Sequence, residues 1–536
     1  MTGFPDPEAC VVRALIDRRA RETPDQVFVL FEDGQGWTYG ELRRRVTAWA
    51  AGLQALGVAQ GEFVLSWQAN GREALLTYLA LNYLGAVIVP INTAYRGGVL
   101  QHVIHNSGAR LMIADGRLLD RLPDVDTAQL RTVVSLGEPA ARRDGLEFLP
   151  ETALTQAAGE PAPPARPIQP WDGNIVLYTS GTTGPSKGVL CSYAHSWSNT
   201  YGFQHHTSED RHLVPLPLFH TTGAVTTYAA LVRGGSIVLV DGFDTRRFWE
   251  MVRRFEVTTV GLLGVMMQFL LKQPPGPQDR DHTLKTVLIV PVDADTPNFA
   301  ERFGVKAYTL FNMTEISIPL FGGPNPSQPG VCGRPRAGVE IRLVDEHDIE
   351  VARGQPGELI LRTDMPWAIS HGYLNDPAAT ARTWRNGWFH TGDTFRITPE
   401  GDYFFLDRKT DSVRRRGENI SSFEVEAAIG THPDVAEVAV VGVTSELGEE
   451  DVMAVIAAAP GREVDLPGLI DFLRPRLASF MIPRYVRVLD ALPKTPTQKV
   501  LKHALRAEGR TPDTWDREAA GVVVKRERLT PAGSGA

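Results

Sequence analysis

The sequence has few cysteines and none in a metal-binding arrangement. Cys10, Cys191 and Cys332 lie far apart in 536 residues, without a CxxC pair or another zinc spacing. This pattern predicts reduced thiols in a cytoplasmic protein rather than a disulfide framework. The N-terminus lacks a basic stretch followed by an apolar run, so no export signal is predicted.

Long hydrophobic runs and an excess of positive charge are also missing. The most apolar stretch, residues 74–91, is interrupted by polar residues, glycine and proline, which predicts a helix leading into a buried strand rather than a membrane span. The formal net charge is −8. Because nucleic-acid binding depends on neutralising phosphates, neither a nucleic acid nor a membrane is expected as a partner.

What the sequence does contain is enough apolar material for several cores. Hydrophobic residues make up 43% of the chain. Its 536 residues are too many for a single hydrophobic core, so several domains are expected. From residue 63 to 292, short β-branched strands alternate with helix-like segments, which predicts parallel sheets covered by helices. A Pro-rich stretch at about residues 161–170 is predicted to join two lobes of this region.

The pattern changes after about residue 330. Hairpin-like strands at Val339–Val344, Glu358–Arg362 and Tyr403–Leu406 predict a smaller antiparallel or barrel-like part. Beyond residue 410, helical and strand segments of about 110 residues predict a separate α+β domain. The expected fold class is therefore α/β, with a large N-terminal domain of helix-covered sheets and a smaller C-terminal domain.

Residues 178–188, YTSGTTGPSKG, carry the strongest functional signal. They follow an apolar strand directly, their glycines allow a ligand to approach the backbone, and their hydroxyls and lysine can donate to phosphate oxygens. A surface turn explains the glycines but not this density of donors. The order Ser186-Lys187-Gly188 does not match a Walker A loop. The expected phosphate contacts are Thr179, Ser180, Gly181, Thr182, Thr183, Gly184 and Lys187.

Further motifs accompany this loop in a fixed order. Each has an ordinary structural explanation when taken alone, but together they resemble the adenylate-forming superfamily of acyl-CoA synthetases, peptide-synthetase adenylation domains and luciferases. The resemblance covers roughly residues 10–510 and is strongest to CoA ligases of the crotonobetaine/carnitine type. The motifs are Pro217–His220, Met313–Glu315, Thr391–Asp393, Asp407–Asp411, Arg416–Asn419 and Pro493–Lys499.

The resemblance implies an ATP-dependent enzyme that activates a small carboxylic acid as an acyl-AMP, releases pyrophosphate, and passes the acyl group to a thiol. ATP and Mg²⁺ are the implied cofactors, and coenzyme A is the implied co-substrate. One alternative keeps adenylation but uses an amine acceptor, or activates nitrite for diazotisation. A nucleotide-binding protein without turnover is a further alternative. The sequence leaves the oligomeric state open, with a homodimer among the possibilities.

Four residues receive catalytic roles from the resemblance. Glu315 would bind Mg²⁺, a hard ion that prefers oxygen ligands, and Thr314 would bind the α-phosphate. Lys499, on the small domain, would reach the α-phosphate and its bridging oxygen. His220 would line the entrance of the acyl pocket, although neighbouring histidines also invite comparison with a metal site, whose spacing they do not match.

Other residues would bind the nucleotide or the thiol. Asp393 would accept hydrogen bonds from the ribose hydroxyls, and Arg408 would contact ribose or phosphate through a permanently charged guanidinium. Arg416 and Gly417 would approach the thiol after the small domain rotates. The basic run Arg414–Arg416 is either a solvated face or an attraction for coenzyme A phosphates.

The resemblance also implies a domain layout. Residues 1–407 would form the ATP- and substrate-binding domain, including the barrel-like part at about 330–407. Residues 408–411 would be a hinge, 412–516 a mobile lid domain, and 517–536 a flexible tail. Thr410 stands where relatives more often have Asp or Lys, although a hinge needs only a residue that absorbs a backbone rotation.

Two further departures from the family pattern concern ligand contacts. Asn312 stands where relatives usually carry glycine, so its side chain should narrow or polarise the acyl pocket and favour a small or polar acid. Asn312 is also counted among the nucleotide-binding residues. Val290-Pro-Val-Asp293 replaces a Gly-rich segment that often flanks adenine, which leaves the adenine contacts unassigned.

Overall fold

The structure is a computed structural model of the 536-residue chain. It describes every residue except 1–2, 124, 140, 158, 180–185, 409–410, 412, 416–417, 421, 446–449, 478, 480, 495–498 and 525–536. Two compact units are present. The first comprises residues 1–341 and 361–390, and the second comprises residues 342–360 and 391–536.

Helices cover the sheets in both units, and two short 3₁₀ helices, Gly116–Arg121 and Thr200–Phe203, accompany them. None of the helices in the described ranges combines the length and apolarity needed to cross a bilayer. The α-helices are α1 Pro7–Cys10, α2 Val12–Glu22, α3 Tyr39–Ala55, α4 Arg72–Leu84, α5 Gly97–Ser107, α6 Thr152–Thr155, α7 Tyr193–Asn199, α8 Thr221–Arg233, α9 Phe248–Arg254, α10 Gly264–Leu271, α11 Thr296–Phe303, α12 Pro377–Thr383, α13 Ser422–Gly430, α14 Leu466–Leu473 and α15 Lys502–Glu508.

The strands are mostly short and apolar. They are β1 Val27–Phe31, β2 Gly36–Thr38, β3 Phe63–Trp67, β4 Val87–Pro90, β5 Leu111–Asp115, β6 Thr132–Leu136, β7 Glu147–Pro150, β8 Gly173–Thr179, β9 Lys187–Ser192, β10 Arg211–Val214, β11 Ser236–Leu239, β12 Thr259–Leu263, β13 Thr286–Val290, β14 Lys306–Met313, β15 Ile316–Gly322, β16 Val331–Pro335, β17 Val339–Val344, β18 Gly357–Thr363, β19 Trp384–Arg385, β20 Trp388–Ile397, β21 Tyr403–Arg408, β22 Val413–Arg415, β23 Glu418–Ile420, β24 Val435–Thr444, β25 Glu450–Ala458, β26 Tyr485–Leu489 and β27 Trp515–Asp516.

The first unit contains a seven-stranded sheet in the order β7-β6-β5-β3-β4-β8-β9, parallel except for the β8–β9 hairpin. Both faces of this sheet are buried. Successive side chains of a strand point to opposite sides, and in this sheet each side packs against a separate core. On β3, Val64 belongs to a core with α2, α3 and α4, whereas Leu65 packs with Leu100 and Val103 of α5.

A second run of strands in the first unit has the order β2-β1-β11-β10-β12-β13-β14-β15-β16. Its centre, from β1 to β14, is parallel, and the β14–β15 and β15–β16 pairs are antiparallel. The carboxyl ends of parallel strands in such sheets are the usual place for a ligand. The Met313–Glu315 motif lies at one such end, where β14 turns into β15.

The second unit contains a four-stranded sheet in the order β24-β25-β26-β27. Alternate residues of β25 again divide between two cores: Ala454 packs with residues of α13 and α14, and Val455 packs with Leu505 of α15. The predicted α/β class, with a large N-terminal sheet domain and a smaller C-terminal α+β domain, is confirmed. The hinge at 408–411 and the lid domain at 412–516 stay predictions.

Candidate active site

The β8–β9 hairpin supports the predicted phosphate loop. Thr179, the last residue of β8, pairs in register with Lys187, the first residue of β9. The loop therefore leaves and re-enters the sheet at one point, directly after a buried strand, as the sequence predicts. The predicted contacts Ser180, Gly181, Thr182, Thr183 and Gly184 lie outside the described residues.

The β14–β15 hairpin carries the acidic motif. Its tight turn contains Thr314 and Glu315, and the Glu315 side chain is buried with the residue 7% exposed. The Thr314 hydroxyl lies 2.9 Å from the hydroxyl of Thr221, the first residue of α8. The motif is thus attached to the N-terminus of a helix whose preceding residue is His220.

A segment at residues 368–374 connects the acidic turn to the phosphate-loop hairpin. On one side, the backbone N–H of Ser370 donates to the Glu315 carbonyl at 2.9 Å. On the other side, the N–H of His371 donates to the Leu190 carbonyl, and the Leu190 N–H donates to the Gly372 carbonyl. Backbone pairing therefore places two motifs that are far apart in sequence on either side of one short segment.

Tyr373 extends this connection to the side chains. Its hydroxyl donates to Glu315 Oε1 at 2.8 Å, and the Lys187 Nζ lies 4.9 Å from the centre of its ring. Burial and the Glu315 carboxylate raise the pKa of the Tyr373 hydroxyl well above its usual range. The tyrosine consequently stays protonated and keeps donating. No sequence motif singled out Tyr373.

His195 supports the same region from α7. Its Nδ1 lies 3.0 Å from the Ala368 carbonyl, and the ring is also within hydrogen-bonding reach of the Thr314 carbonyl. Burial lowers the pKa of His195 to about 4, so the ring is neutral near pH 7. The sequence motifs assign no role to this histidine.

His220 is placed by a close approach between a helix and a turn. It is the N-cap residue of α8, and its N–H donates to the Pro217 carbonyl at 3.0 Å. Gly223, one turn later, lies so near that turn that an added Cβ would stand 2.2 Å from the Pro217 oxygen. Glycine therefore allows the 217–220 turn to pack directly on the start of α8.

Asn312 occupies the last part of β14 and is half-buried. Its side-chain amide donates to Asn199 Oδ1 of α7 at 3.2 Å. Asn199 is 1% exposed and donates in turn to the His195 carbonyl. Two amides therefore face each other between α7 and β14, where a glycine at position 312 would leave space.

The second unit carries the residues predicted to bind ribose. Asp393 of β20 is 6% exposed and pairs in register with Arg408 of β21, so the two predicted contacts are cross-strand neighbours. The Thr391 hydroxyl accepts from the Asp393 N–H at 3.1 Å and donates to the Leu359 carbonyl, which fixes the bend of the Thr391–Asp393 motif. The side chain of Arg408 is outside the described part of the chain.

Lys499 is exposed on the second unit. A bridge between Lys494 and Val500 closes the base of its segment, whose residues 495–498 are not among the described ones.

The basic run Arg414–Arg416 contains a buried residue. Arg415 is 5% exposed and its Nε lies 2.8 Å from Asp451, so it is a buried ion-pair residue and not part of a solvated face. The attraction of the basic run for coenzyme A phosphates stays a prediction. Arg416 and Gly417 lie outside the described residues.

A preformed cage for a metal ion is not found within the described ranges, since no group of three or more His, Cys, Asp and Glu side chains converges there. Magnesium commonly uses one or two carboxylates together with phosphate oxygens and water. Glu315 fits that mode, because it offers a single, nearly buried carboxylate at a strand end with one oxygen held by Tyr373.

Comparison with known families shows to which family the chain belongs. The model of the AMP-binding enzyme family matches residues 16–374, and that of the AMP-binding enzyme C-terminal domain matches residues 424–499. The chain belongs to the AMP-binding enzyme family. The prediction of an ATP-dependent, AMP-forming ligase is thereby confirmed at family level.

Relatives of this AMP-binding enzyme are similar over nearly their whole length. A crotonobetaine/carnitine–CoA ligase from Escherichia coli O1:K1 / APEC is 28% identical over 488 residues, which are 88% of this chain and 93% of the relative. The ATP-bound structure of MatB from Rhodopseudomonas palustris has a TM-score of 0.81 and 27% identity, covering 92% of this chain and 98% of MatB.

The anthranilate CoA ligase AuaEII, solved with anthranoyl-AMP, has a TM-score of 0.83 at 21% identity. It covers 95% of this AMP-binding enzyme and 98% of AuaEII, and at that identity it supports the fold alone.

Proposed function

We propose that the protein activates a small, polar carboxylic acid as an acyl-AMP and transfers the acyl group to coenzyme A. One observation supports this most strongly: Tyr373 contacts both Lys187, on the phosphate-loop hairpin, and Glu315, in the acidic turn. A cation for phosphate and a carboxylate for a divalent ion therefore both contact one tyrosine, the first over its ring and the second at its hydroxyl. That pairing is what an attack at a nucleotide phosphate needs.

The chemistry balances as two displacements. A carboxylate oxygen of the acid attacks the α-phosphorus of ATP, and the bond to pyrophosphate breaks. The thiolate of coenzyme A then attacks the acyl carbon, and AMP leaves with one of the original carboxylate oxygens. Lys187 and the Thr314 hydroxyl would bind phosphate oxygens, Asp393 would hold the ribose, and Lys499 would neutralise charge during the first displacement.

Magnesium would be held by Glu315 together with the phosphates of ATP. When bound, the ion lowers the negative charge that the attacking carboxylate meets. Lys187 adds a second positive charge, and the aromatic ring beside its ammonium group favours a cation at that position. His220, at the start of α8, would form the entrance through which the acid reaches the α-phosphate.

The acid should be small and polar because Asn312 and Asn199 occupy the space where it would extend. Their side-chain amides are hydrogen-bonded at 3.2 Å, and separating them to admit a long alkyl chain would leave buried polar groups without partners. The names of the sequence relatives agree with a small acid, since they are crotonobetaine/carnitine–CoA ligases. An acyl pocket narrowed by these two amides would also accept nitrite. Nitrite is therefore the second candidate substrate, with an amine as the acceptor in place of the thiol.

The test is ATP-dependent release of AMP and pyrophosphate across a panel of substrates. The panel contains short, hydroxylated and aromatic carboxylates, palmitate and nitrite, each with and without coenzyme A, and products are identified by mass spectrometry. We expect turnover of a small polar acid, with an acyl-CoA formed only when coenzyme A is present. Preference for palmitate would contradict the proposed substrate class. Turnover of nitrite with an aryl amine alone would replace it with the second candidate.

A further inference from the structure

Tyr373 lies at the point where the phosphate-loop hairpin and the acidic turn meet. Its hydroxyl donates to Glu315 Oε1 at 2.8 Å. Among the described residues, no other side chain hydrogen-bonds to the Glu315 carboxylate, so this contact is the one that restricts its orientation and leaves Oε2 without a side-chain donor. Hydrogen bonds to an ionised carboxylate are roughly twice as strong as neutral ones.

The backbone of Tyr373 is itself firmly placed. It forms an antiparallel bridge with Val189 of β9, and its N–H donates to the Thr380 hydroxyl at 3.0 Å. Thr380 also packs against Gly372, which has a φ of +109°, a backbone conformation that favours glycine. An added Cβ at Gly372 would lie 2.6 Å from the Thr380 methyl group. The phenol ring therefore projects from a fixed frame built on the phosphate-loop strand.

The ring also meets the cation of the phosphate loop. The Lys187 ammonium group lies 4.9 Å from the ring centre, within the range of a cation–π contact. This contact favours a position of the Lys187 ammonium group over the Tyr373 ring when no phosphate is bound. A single side chain thus touches both the group expected to bind phosphate and the group expected to bind the metal ion.

We propose that Tyr373 is a positioning residue for the magnesium–nucleotide site, holding the Glu315 carboxylate in the orientation that binds the divalent cation. The inference rests on the proposed function for the role of Glu315. Tyr373 acts through Glu315 and not on the reacting atoms. Partners of this kind typically change metal affinity or activity ~10–100-fold when removed.

The test is Tyr373→Phe, which keeps the ring beside Lys187 and removes only the hydroxyl. We expect the Mg²⁺ concentration for half-maximal acyl-AMP formation to rise ~10-fold, with a smaller change in the KM of the acid. Transfer from a chemically prepared acyl-AMP to coenzyme A should change less than ~2-fold, because no pyrophosphate or metal ion is needed at that step. Equal Mg²⁺ dependence of variant and parent would overturn the inference.

A binding measurement separates this inference from the proposed function. Mn²⁺, a paramagnetic substitute for Mg²⁺, is titrated into the ATP-bound protein and the free ion is followed by electron paramagnetic resonance. Weaker Mn²⁺ binding by Tyr373→Phe supports the inference even if no acid in the panel is turned over, whereas unchanged binding refutes it even if the panel succeeds.

The matched control is Tyr39→Phe. Tyr39 is fully buried and donates to the Gly235 carbonyl at 2.7 Å, so its loss removes a comparable hydrogen bond away from the site. It should lower the thermal midpoint without changing the metal dependence. A shift in Mn²⁺ affinity as large as that of Tyr373→Phe would show that general destabilisation, and not positioning, is responsible.

Discussion

At the scale of single residues, Asn312 is the position where this chain departs most informatively from its relatives. Its amide bridges to Asn199 and occupies space that glycine would leave open. In the proposed function, the size of the acid is limited by this one side chain at the end of β14, next to the turn that carries Thr314 and Glu315.

Replacing Asn312 by glycine should widen the range of accepted acids. The change removes the Asn312 amide and its hydrogen bond to Asn199. We therefore expect kcat/KM for a bulkier acid, divided by kcat/KM for the native small acid, to rise ~10-fold or more. Adding about one or two methylene groups of space to a pocket has an effect of this size. Competition assays with paired acids measure this ratio. An unchanged ratio would show that the acyl group does not approach Asn312.

Two buried histidines, His195 and His212, and the half-buried His206 make stability depend on pH. Burial lowers the pKa of His195 and His206 to about 4 and that of His212 to about 3, all below the value of about 6.5 in an unfolded chain. The unfolded state therefore binds more protons below pH 6.5, and stability falls as the pH drops. Each histidine should cost about 2 kcal/mol at pH 5 relative to pH 7.

This prediction is checked with His212→Phe. The variant cannot take up a proton at that position, so its unfolding free energy should fall less steeply between pH 7 and pH 5 than that of the parent. Parallel slopes for His212→Phe and the parent would mean that His212 titrates normally in the folded protein.

At the scale of elements, the contact between α8 and the 217–220 turn depends on the missing side chain of Gly223. A Cβ there would lie 2.2 Å from the Pro217 oxygen and 2.5 Å from the Leu216 oxygen, so Gly223→Ala must push the helix and turn apart. We expect a loss of about 1–3 kcal/mol in unfolding free energy, typical of overpacking, and slower acyl-AMP formation as His220 moves.

Gly98→Ala is the matched control for this prediction. Gly98 also lies in the first turn of a helix, α5, but an added Cβ would meet nothing within 4 Å. Denaturant titrations of the two variants should separate them, with Gly98→Ala close to the parent. If both alanines are tolerated equally, the close approach of α8 to the turn is not a constraint.

The elements themselves were largely predictable, because a strand with β-branched residues or a helix with apolar periodicity is a local signal. The predicted helix and strand within residues 74–91 appear as α4 and β4. The β-branched run at residues 287–292 forms a strand only as far as Val290, because Pro291 has no N–H to donate to a neighbouring strand. The link through Tyr373 was not predictable, since it depends on tertiary pairing between Val189 and a residue 184 positions later.

Burial of a charged residue was the other feature hidden from the sequence. Arg415 belongs to a run of three arginines that looks uniform, yet the fold pairs it with Asp451, which also contacts Arg484. Local composition cannot show which member of a basic run finds a partner 36 residues away. The position of the phosphate loop directly after a buried strand, by contrast, was predictable because the strand and the loop are contiguous in the chain.

At the scale of the whole molecule, the proposed reaction uses residues of both units. Lys187, Thr314 and Glu315 belong to the first unit, and Asp393 and Lys499 belong to the second. If all serve adenylation, the oxygen that joins acid to nucleotide must come from the acid. The fate of that oxygen therefore tests the proposed adenylation without reference to any single residue.

The decisive measurement uses the accepted acid labelled with ¹⁸O in both carboxylate oxygens, with ATP and coenzyme A, and analyses the nucleotide product by mass spectrometry. Attack on the α-phosphorus predicts AMP carrying one ¹⁸O atom and unlabelled pyrophosphate. Label in orthophosphate together with ADP, or AMP without label, would contradict the account.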